Sequence, residues 1–255
     1  MEELIRVEDI EKYYGSKNNL TKAVDRISFT VSKGEFTGIM GASGSGKTTL
    51  LNLLATVDMV TSGHIYYGPE DITRLSEDKM ADFRKNNLGF VFQDFMLLDG
   101  LTVFENICLP QIIAKKPVAQ MESKAKRLCE IFGIDSIAAK YPAEISGGEK
   151  QRTAVARALM NQPYMLLADE PTGNLDSKSC RAVIDAFLQA KEEMHATVFM
   201  VTHDSYAASF CDRVIVLKDG EVNQELERTG SRREFMDQLL DVLRILGGDD
   251  SNDAA

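Results

Sequence analysis

Long apolar runs are missing from this chain of 255 residues, and their absence bears on where the protein works. The longest apolar stretches, such as residues 198–201 and 214–217, have the length of a strand, whereas a membrane-spanning helix needs about 20 consecutive apolar residues. The acidic start of the chain lacks the apolar core of a secretory signal. We therefore expect a cytoplasmic protein that does not cross the membrane.

Cysteine is scarce, and its spacing argues against a disulfide framework and a zinc site. The four cysteines lie far apart and form no C-x-x-C pair, whereas both kinds of site usually show close, regular spacings. We expect reduced thiols at Cys108, Cys129, Cys180 and Cys211.

An excess of basic residues is also absent. The chain has 29 Lys and Arg against 39 Asp and Glu, a formal net charge of -10. A nucleic-acid-binding surface usually carries a basic footprint, so we expect no nucleic-acid partner. Nucleotide binding stays compatible with an acidic chain, because backbone N–H groups and a single lysine can hold phosphates.

Short runs rich in Ile, Val and Phe alternate with helical stretches, which predicts an α/β fold with a mostly parallel sheet. The stretch between residues 94 and 162 interrupts this alternation and looks mainly helical, with a charged amphipathic segment at residues 115–132. This interruption predicts a helical subdomain inserted into the core. The predicted strands of the sheet are residues 36–40, 89–92, 164–168, 197–202 and 213–217.

The two ends of the chain have different patterns. Residues 4–10 and 23–31 predict antiparallel strands around a polar loop at residues 15–21, and residues 64–67 predict another strand. Near the C-terminus, residues 232–246 predict an amphipathic helix, followed by a flexible end at residues 247–255. Its apolar stripe consists of Phe235, Leu239, Val242, Leu243 and Leu246.

A glycine-rich segment lies between the predicted strand at residues 36–40 and an apolar helical run at residues 50–55, and it fits the pattern G-x-x-x-x-G-K-[ST]. The glycines allow backbone N–H groups to point at phosphates, and the helix start adds partial positive charge. We expect Lys47 to reach the β- and γ-phosphates of a nucleotide and Thr48 to bind Mg²⁺. A chance match at a glycine-rich turn is the alternative, and the strand-to-helix setting argues against it. The predicted binding residues are Gly41, Ala42, Ser43, Gly44, Ser45, Gly46, Lys47, Thr48 and Thr49.

Two acids, Asp169 and Glu170, follow the predicted strand at residues 164–168. At the carboxyl end of this strand, Asp169 can bind Mg²⁺ through its water shell and Glu170 can take a proton from an attacking water. On their own the acids would favour a strand that emerges into solvent. Together with the phosphate-binding segment they favour a catalytic site.

Two further polar residues, Gln93 and His203, also follow predicted strands. Gln93 is placed to orient water or Mg²⁺, and His203 to contact the γ-phosphate of a bound nucleotide. A turn-capping amide and a structural histidine remain open as alternatives. His64 and His195 we interpret as structural.

Residues 145–152, with the sequence Ile-Ser-Gly-Gly-Glu-Lys-Gln-Arg, resemble the signature motif of ABC ATPases. A serine hydroxyl and glycine N–H groups at a helix start form an anion site. The resemblance implies that Ser146, Gly147, Gly148 and Glu149 face the ATP of a second copy, so that a homodimer encloses two ATP molecules. Glu149 departs from the glutamine that many members carry, and we expect little effect on hydrolysis.

The resemblance covers nearly all of residues 3–225 and implies roles for the other motifs. Tyr14 would stack on adenine, with Tyr13 as a rival, and Asp176 would belong to the D-loop at residues 174–176. Gln93 would be the Q-loop glutamine, Asp169 and Glu170 the Walker B pair, and His203 the switch histidine.

The family fold is a P-loop NTPase core, a RecA-like mostly parallel sheet, with an N-terminal antiparallel β subdomain and an inserted helical subdomain. Residues 1–225 would form the ATPase domain, with residues 94–162 as the helical subdomain, and residues 226–255 a C-terminal extension.

Several stretches, at residues 41–46, 92–98 and 168–176, resemble the branch of ABC ATPases that serves macrolide export, lipoprotein release and antimicrobial-peptide resistance. Residues 99–103 and 201–209, together with the end of the tail at residues 246–248, resemble bacitracin-export ATP-binding proteins in particular. This resemblance implies an ATPase on the inner face of the cell membrane that powers a separate permease. The alternative is an ABC ATPase that regulates a non-transport envelope machine of the cell-division or lipoprotein-release type.

Overall fold

The computed structural model of the protein describes residues 2–16, 19–173 and 175–249, with side chains as far as Leu246. It divides into two compact units. The first contains the chain up to Glu77 and from Phe199 onward, and the second is Asp78–Val198.

The first unit contains an antiparallel sheet with strand order β2-β1-β4-β5. The predicted antiparallel strands are confirmed, but the predicted polar loop at residues 15–21 is too long. Tyr14 pairs with Thr21 and Ser16 with Asn19, because an exposed hairpin keeps its backbone pairing beyond the point where side chains are buried. The strands are β1 (Glu3–Ser16), β2 (Asn19–Ser32), β4 (Ser62–Tyr67) and β5 (Glu70–Asp71).

A second group of strands in the first unit contains β3 (Phe36–Gly41), in which every residue is buried. β3 pairs in parallel with β9 (Arg213–Lys218), and β9 pairs antiparallel with β10 (Glu221–Glu227). The sequence did not indicate β10, because its residues are mostly exposed on both faces and show no apolar alternation. The helices of this unit are α1 (Lys47–Leu54), α7 (Ser205–Ala208), α8 (Arg232–Asp249) and a short 3-10 helix (Ile72–Arg74).

The second unit contains two parallel strands, β6 (Leu88–Phe92) and β7 (Met165–Asp169), and most of the helices. The predicted segment at residues 115–132 becomes a helix that starts only at Val118, because Pro117 occupies the N-cap position. The helices are α2 (Glu77–Asn87), α3 (Val103–Ile113), α4 (Val118–Ile131), α5 (Gly147–Leu159) and α6 (Ser177–Met194), with 3-10 turns at Asp135–Ile137 and Pro142–Glu144. The chain returns to the first unit within β8 (Thr197–Val201).

The C-terminal helix α8 was predicted from its apolar stripe, and the structure confirms the helix. Phe235 and Leu239 are buried, whereas the three later apolar residues of the stripe are only half-buried. At its start, the Arg232 guanidinium lies 4.5 Å from the ring centroid of Phe210 and 5.1 Å from that of Tyr206. Residues 250–255, part of the predicted flexible end, lie outside the described residues.

Within the described residues, no helix is both long and apolar enough to span a membrane. All four cysteines are reduced and buried, and burial raises the pKa of the Cys108 and Cys129 thiols to about 11. These thiols are therefore protonated near neutral pH.

Candidate functional site

The predicted phosphate-binding segment forms a turn between β3 and α1, and glycine is required at two of its positions. Gly41 and Gly46 have φ values of 152° and 97°, in the left-handed region. A side chain at Gly41 would collide with the Leu217 carbonyl and the Ser45 hydroxyl, and one at Gly46 with the Ala23 carbonyl. The backbone of this turn can therefore come close to a ligand.

The polar groups of this turn fit an anion. The Ser45 hydroxyl is buried and has no hydrogen-bond partner among the described residues. The Lys47 ammonium donates to the carbonyl oxygens of Gly41 (2.9 Å) and Ala42 (2.7 Å), which holds it over the turn. Helix α1 begins at Lys47 without an acidic residue in its first turn, so its partial positive charge is not neutralised there. Phosphate groups match all three features.

The aromatic residue predicted to stack on adenine, Tyr14, is 42% exposed. Its hydroxyl donates to the Asp58 carboxylate at 2.6 Å, and the Lys12 ammonium lies 4.9 Å from its ring centroid. Burial and the bond to Asp58 raise the pKa of the Tyr14 hydroxyl, against the effect of a hydrogen bond with Thr49. Thr49 belongs to α1, so the ring is tied directly to the helix that follows the phosphate-binding turn.

Lys12 and Asp58 were missed by the sequence analysis. The Asp58 carboxylate accepts hydrogen bonds from Lys12 Nζ (2.5 Å), from Tyr14 and from the Met59 N–H (2.7 Å). Burial alone would raise the pKa of Asp58, but these bonds lower it, so the group is ionised at neutral pH. No sequence pattern marks a lysine and an aspartate 46 positions apart as partners.

The acids and the glutamine predicted to act on ATP come together in the second unit. Phe92 pairs with Asp169 across β6 and β7, so Gln93 and Glu170 leave neighbouring parallel strands at the same edge. A side chain on Gly173 would lie 3.2 Å from Gln93 Nε2, so the glutamine packs against the turn that follows Glu170. Glu170 has a φ of 45°, a strained value for a residue with a side chain and one typical of functional sites.

The signature segment forms the start of α5, with Ser146 as its N-cap. Ser146 Oγ accepts from the Glu149 N–H, and the Glu149 carboxylate accepts from the Ser146 N–H (2.8 Å) and hydroxyl (2.7 Å). These bonds with Ser146 lower the pKa of Glu149. The departure from glutamine therefore places a negative charge at a helix start where an anion is predicted to bind.

Asp176 and His203 occupy capping and strand-end positions. Asp176 caps α6 by accepting from the Lys178 and Ser179 N–H groups and from the Ser179 hydroxyl, and the Ser179 hydroxyl above all lowers its pKa. Asn174 of the predicted D-loop lies outside the described residues. His203 follows Thr202, whose N–H donates to the Ile39 carbonyl of β3 at 3.0 Å. The residue before His203 is therefore hydrogen-bonded to the strand that precedes the phosphate-binding turn.

Comparison with known proteins identifies the family. A family model described as ABC transporter matches residues 24–173. The chain is 46% identical over 248 residues to the ABC transporter ATP-binding protein YxdL of Bacillus subtilis, covering 97% of this chain and 96% of that protein. It is also 46% identical over 246 residues to the bacitracin export ATP-binding protein BceA of Halalkalibacterium halodurans, covering 96% and 97% of the two chains.

A solved structure gives the same result at the level of the fold. The dimeric post-hydrolysis state of the ATP-binding cassette MJ0796, bound to ADP and Pi, has a TM-score of 0.79 with this chain at 35% identity and covers 89% of this chain and 100% of that one. The protein belongs to the ABC transporter family. Within that family it is an ATP-binding subunit that hydrolyses ATP, as the sequence analysis predicted, and the predicted α/β class is confirmed.

Proposed function

We propose that this ATPase powers a membrane transporter that confers resistance to antimicrobial peptides of the bacitracin type. The observation that carries this proposal is the likeness to a bacitracin-export ATP-binding protein, which extends over nearly the whole of both chains. A lipoprotein-release or cell-division machine is the second candidate, because 39% identity to the lipoprotein-releasing protein LolD of Idiomarina loihiensis also covers 87% of this chain.

The proposed permease, a separate chain, would dock on an apolar groove in the second unit. This groove has a volume of about 540 Å³ and contains the strand end and loop next to Gln93. Met96 and Ile113 on its edge are 57% and 60% exposed, and such patches usually mark interaction sites. Arg157 of α5 supports the loop by donating to the carbonyl oxygens of Phe95 (2.8 Å) and Met96. A short helix with an apolar face fits this surface.

For ATP hydrolysis, we propose roles that follow the family motifs. Lys47 binds the β- and γ-phosphates, while Thr48, Gln93 and Asp169 hold Mg²⁺, directly or through water. Within the described residues no group of three His, Cys, Asp or Glu side chains could hold a metal alone, and Mg²⁺ with phosphates needs only one or two carboxylates. Bound Mg²⁺ would offset phosphate charge.

A side chain of the protein takes up the proton that the attacking water releases. Glu170 accepts this proton, and its strained backbone keeps the carboxylate at the strand edge. His203 contacts the γ-phosphate. In the proposed homodimer, Ser146, Gly147 and Gly148 of one copy bind the ATP of the other, and the pair sits peripherally on the inner face of the membrane.

The proposal can be tested with two matched variants, Ile113→Glu in the groove and Ile245→Glu on α8, since Ile245 is 68% exposed and lies outside the groove. We expect Ile113→Glu to retain ATPase activity but to lose a multi-span permease on purification from native membranes and to lose bacitracin resistance. The Ile245→Glu control should retain both. Recovery of cell-division or lipoprotein-release components with the wild-type chain would instead support the second candidate.

A further inference from the structure

Gln151 in the signature helix α5 makes contacts for which the motif roles above do not account. It is fully buried, and its Nε2 donates to the carbonyl oxygens of Phe92 (3.2 Å) and Pro171 (3.0 Å). Phe92 immediately precedes Gln93, and Pro171 immediately follows Glu170. One side chain therefore binds the backbone next to both residues that are proposed to act on the γ-phosphate end of ATP.

The orientation of the Gln151 amide is fixed by its surroundings. Both nearby groups are carbonyl oxygens, so the amide nitrogen must face them. The other end, Oε1, is buried and accepts no hydrogen bond from any described residue. An unpaired buried acceptor destabilises a fold, and methionine would fill a similar volume without one. A glutamine here is therefore explained by what its Nε2 end holds, the carbonyls of Phe92 and Pro171, and not by its Oε1 end.

Helix α5 makes this side chain a link between two sites. Gln151 lies one helical turn after Gly147, at the end of α5 that is predicted to bind the ATP of the partner copy. A second α5 residue, Arg157, holds the Phe95 and Met96 carbonyls, and both of these residues have left-handed φ values of 62° and 48°. Movement of the helix start would therefore be passed to the backbone on each side of Gln93.

We propose that Gln151 is a positioning residue that couples the two ATP sites of the dimer. When the partner's ATP binds the start of α5, Gln151 holds the carbonyls of Phe92 and Pro171 so that Gln93 and Glu170 take their active positions. Hydrolysis at one site then depends on occupancy of the other. This inference rests on the ATP sandwich of the proposed function.

The test compares Gln151→Met with Gln111→Met. Gln111 is also a buried glutamine of the second unit whose amide donates to a carbonyl, that of Met160 (2.9 Å), but it bonds to none of the proposed catalytic segments. We expect Gln151→Met to lower kcat by about 10- to 100-fold, because small misplacements of catalytic groups have effects of this size. The KM for ATP should stay within roughly twofold. The Hill coefficient should fall to about 1, while Gln111→Met keeps the wild-type kcat and Hill coefficient.

Thermal unfolding of both variants separates positioning from stability. Wild-type cooperativity and kcat in Gln151→Met would overturn the inference, as would a loss of activity that simply follows the loss of folded protein. A Gln151→Glu variant, which has nearly the same shape but no amide donor, should behave like Gln151→Met. A wild-type chain that hydrolyses ATP without dimerising or cooperativity would instead refute the ATP sandwich itself, and with it the coupling.

Discussion

The support beneath Tyr14 leads to a quantitative prediction about ATP affinity. The Asp58 carboxylate accepts hydrogen bonds from the Tyr14 hydroxyl and the Lys12 ammonium, and the ammonium lies 4.9 Å from the centroid of the Tyr14 ring. Lys12 therefore lies over one face of the ring, and in the proposed role of Tyr14 the adenine would stack on the opposite face. The change to test is Asp58→Asn, which keeps the size of the side chain but removes the charge that holds Lys12 and Tyr14 together.

The expected loss of ATP affinity is modest because the Tyr14 ring itself remains. Immobilising a side chain at a binding site costs about 0.5–1.5 kcal/mol, and this cost moves from folding to binding when the support is lost. A cation–π contact at an exposed ring is worth about 0.5–1 kcal/mol, and part of the contact between Lys12 and Tyr14 survives in the variant. We expect Asp58→Asn to weaken ATP binding by about two- to tenfold, with kcat unchanged. Tyr14→Ala should cost more, since base stacking is worth about 1–3 kcal/mol.

Calorimetric titration of ATP into chains that also carry Glu170→Gln measures binding without turnover. Asp241→Asn is the control, because Asp241 forms an exposed pair with Arg244 (3.2 Å) in α8. Tyr14→Phe should lose about as much affinity as Asp58→Asn, and the two changes together should lose little more. Unchanged affinity in Asp58→Asn, or full additivity of the two changes, would refute the reasoning.

The pKa of Asp58 sets the pH range of this effect. The folded-state pKa of Asp58 is lowered, so the stabilisation that its ionised carboxylate provides is present above the unfolded-state pKa, near 3.9. This stabilisation is lost only as pH falls through the lower folded-state pKa. The difference in ATP affinity between wild type and Asp58→Asn should therefore be constant from about pH 8 down to about pH 5. A difference that changes within this range would assign the effect to another group.

Three further predictions concern the catalytic and signature residues. Glu170→Gln should lower turnover by about 10²–10⁴-fold while ATP still binds, and near-normal turnover in a phosphate-release assay would remove Glu170 as the base. Ser146→Arg should prevent ATP-driven dimerisation in sedimentation experiments without abolishing ATP binding by the single chain, and a dimer that still forms would contradict the sandwich. Glu149→Gln removes a negative charge from the start of α5, where such charges alter energies by about 0.3–1 kcal/mol. The ATP concentration for half-maximal dimerisation should then fall by about two- to fivefold, with a smaller difference at high salt.

How much of the molecule the sequence predicts depends on what each element needs to bury. The fully buried strand β3 and the buried parts of β7 and β8 were predicted almost to the residue, because their apolar runs record that burial. Strand β10 was missed and the end of the β1–β2 hairpin was predicted as a loop, because their exposed residues form backbone ladders with no apolar signal. A ladder between exposed strands depends on the neighbouring strand, which local sequence does not reveal.

Site residues also differ in how far the sequence can predict them. Lys47 and Glu170 were proposed from the sequence because phosphate binding and proton transfer need those side chains at a fixed place next to a strand end. Gln151 acts on backbone carbonyls, which every residue has, so its partners leave no trace in the sequence. Asp58 acts on Tyr14 from a turn 44 positions away. Residues that contact ATP are thus constrained by chemical type, whereas residues that position them are constrained by the fold, and only the three-dimensional structure shows which carbonyl or hydroxyl each one holds.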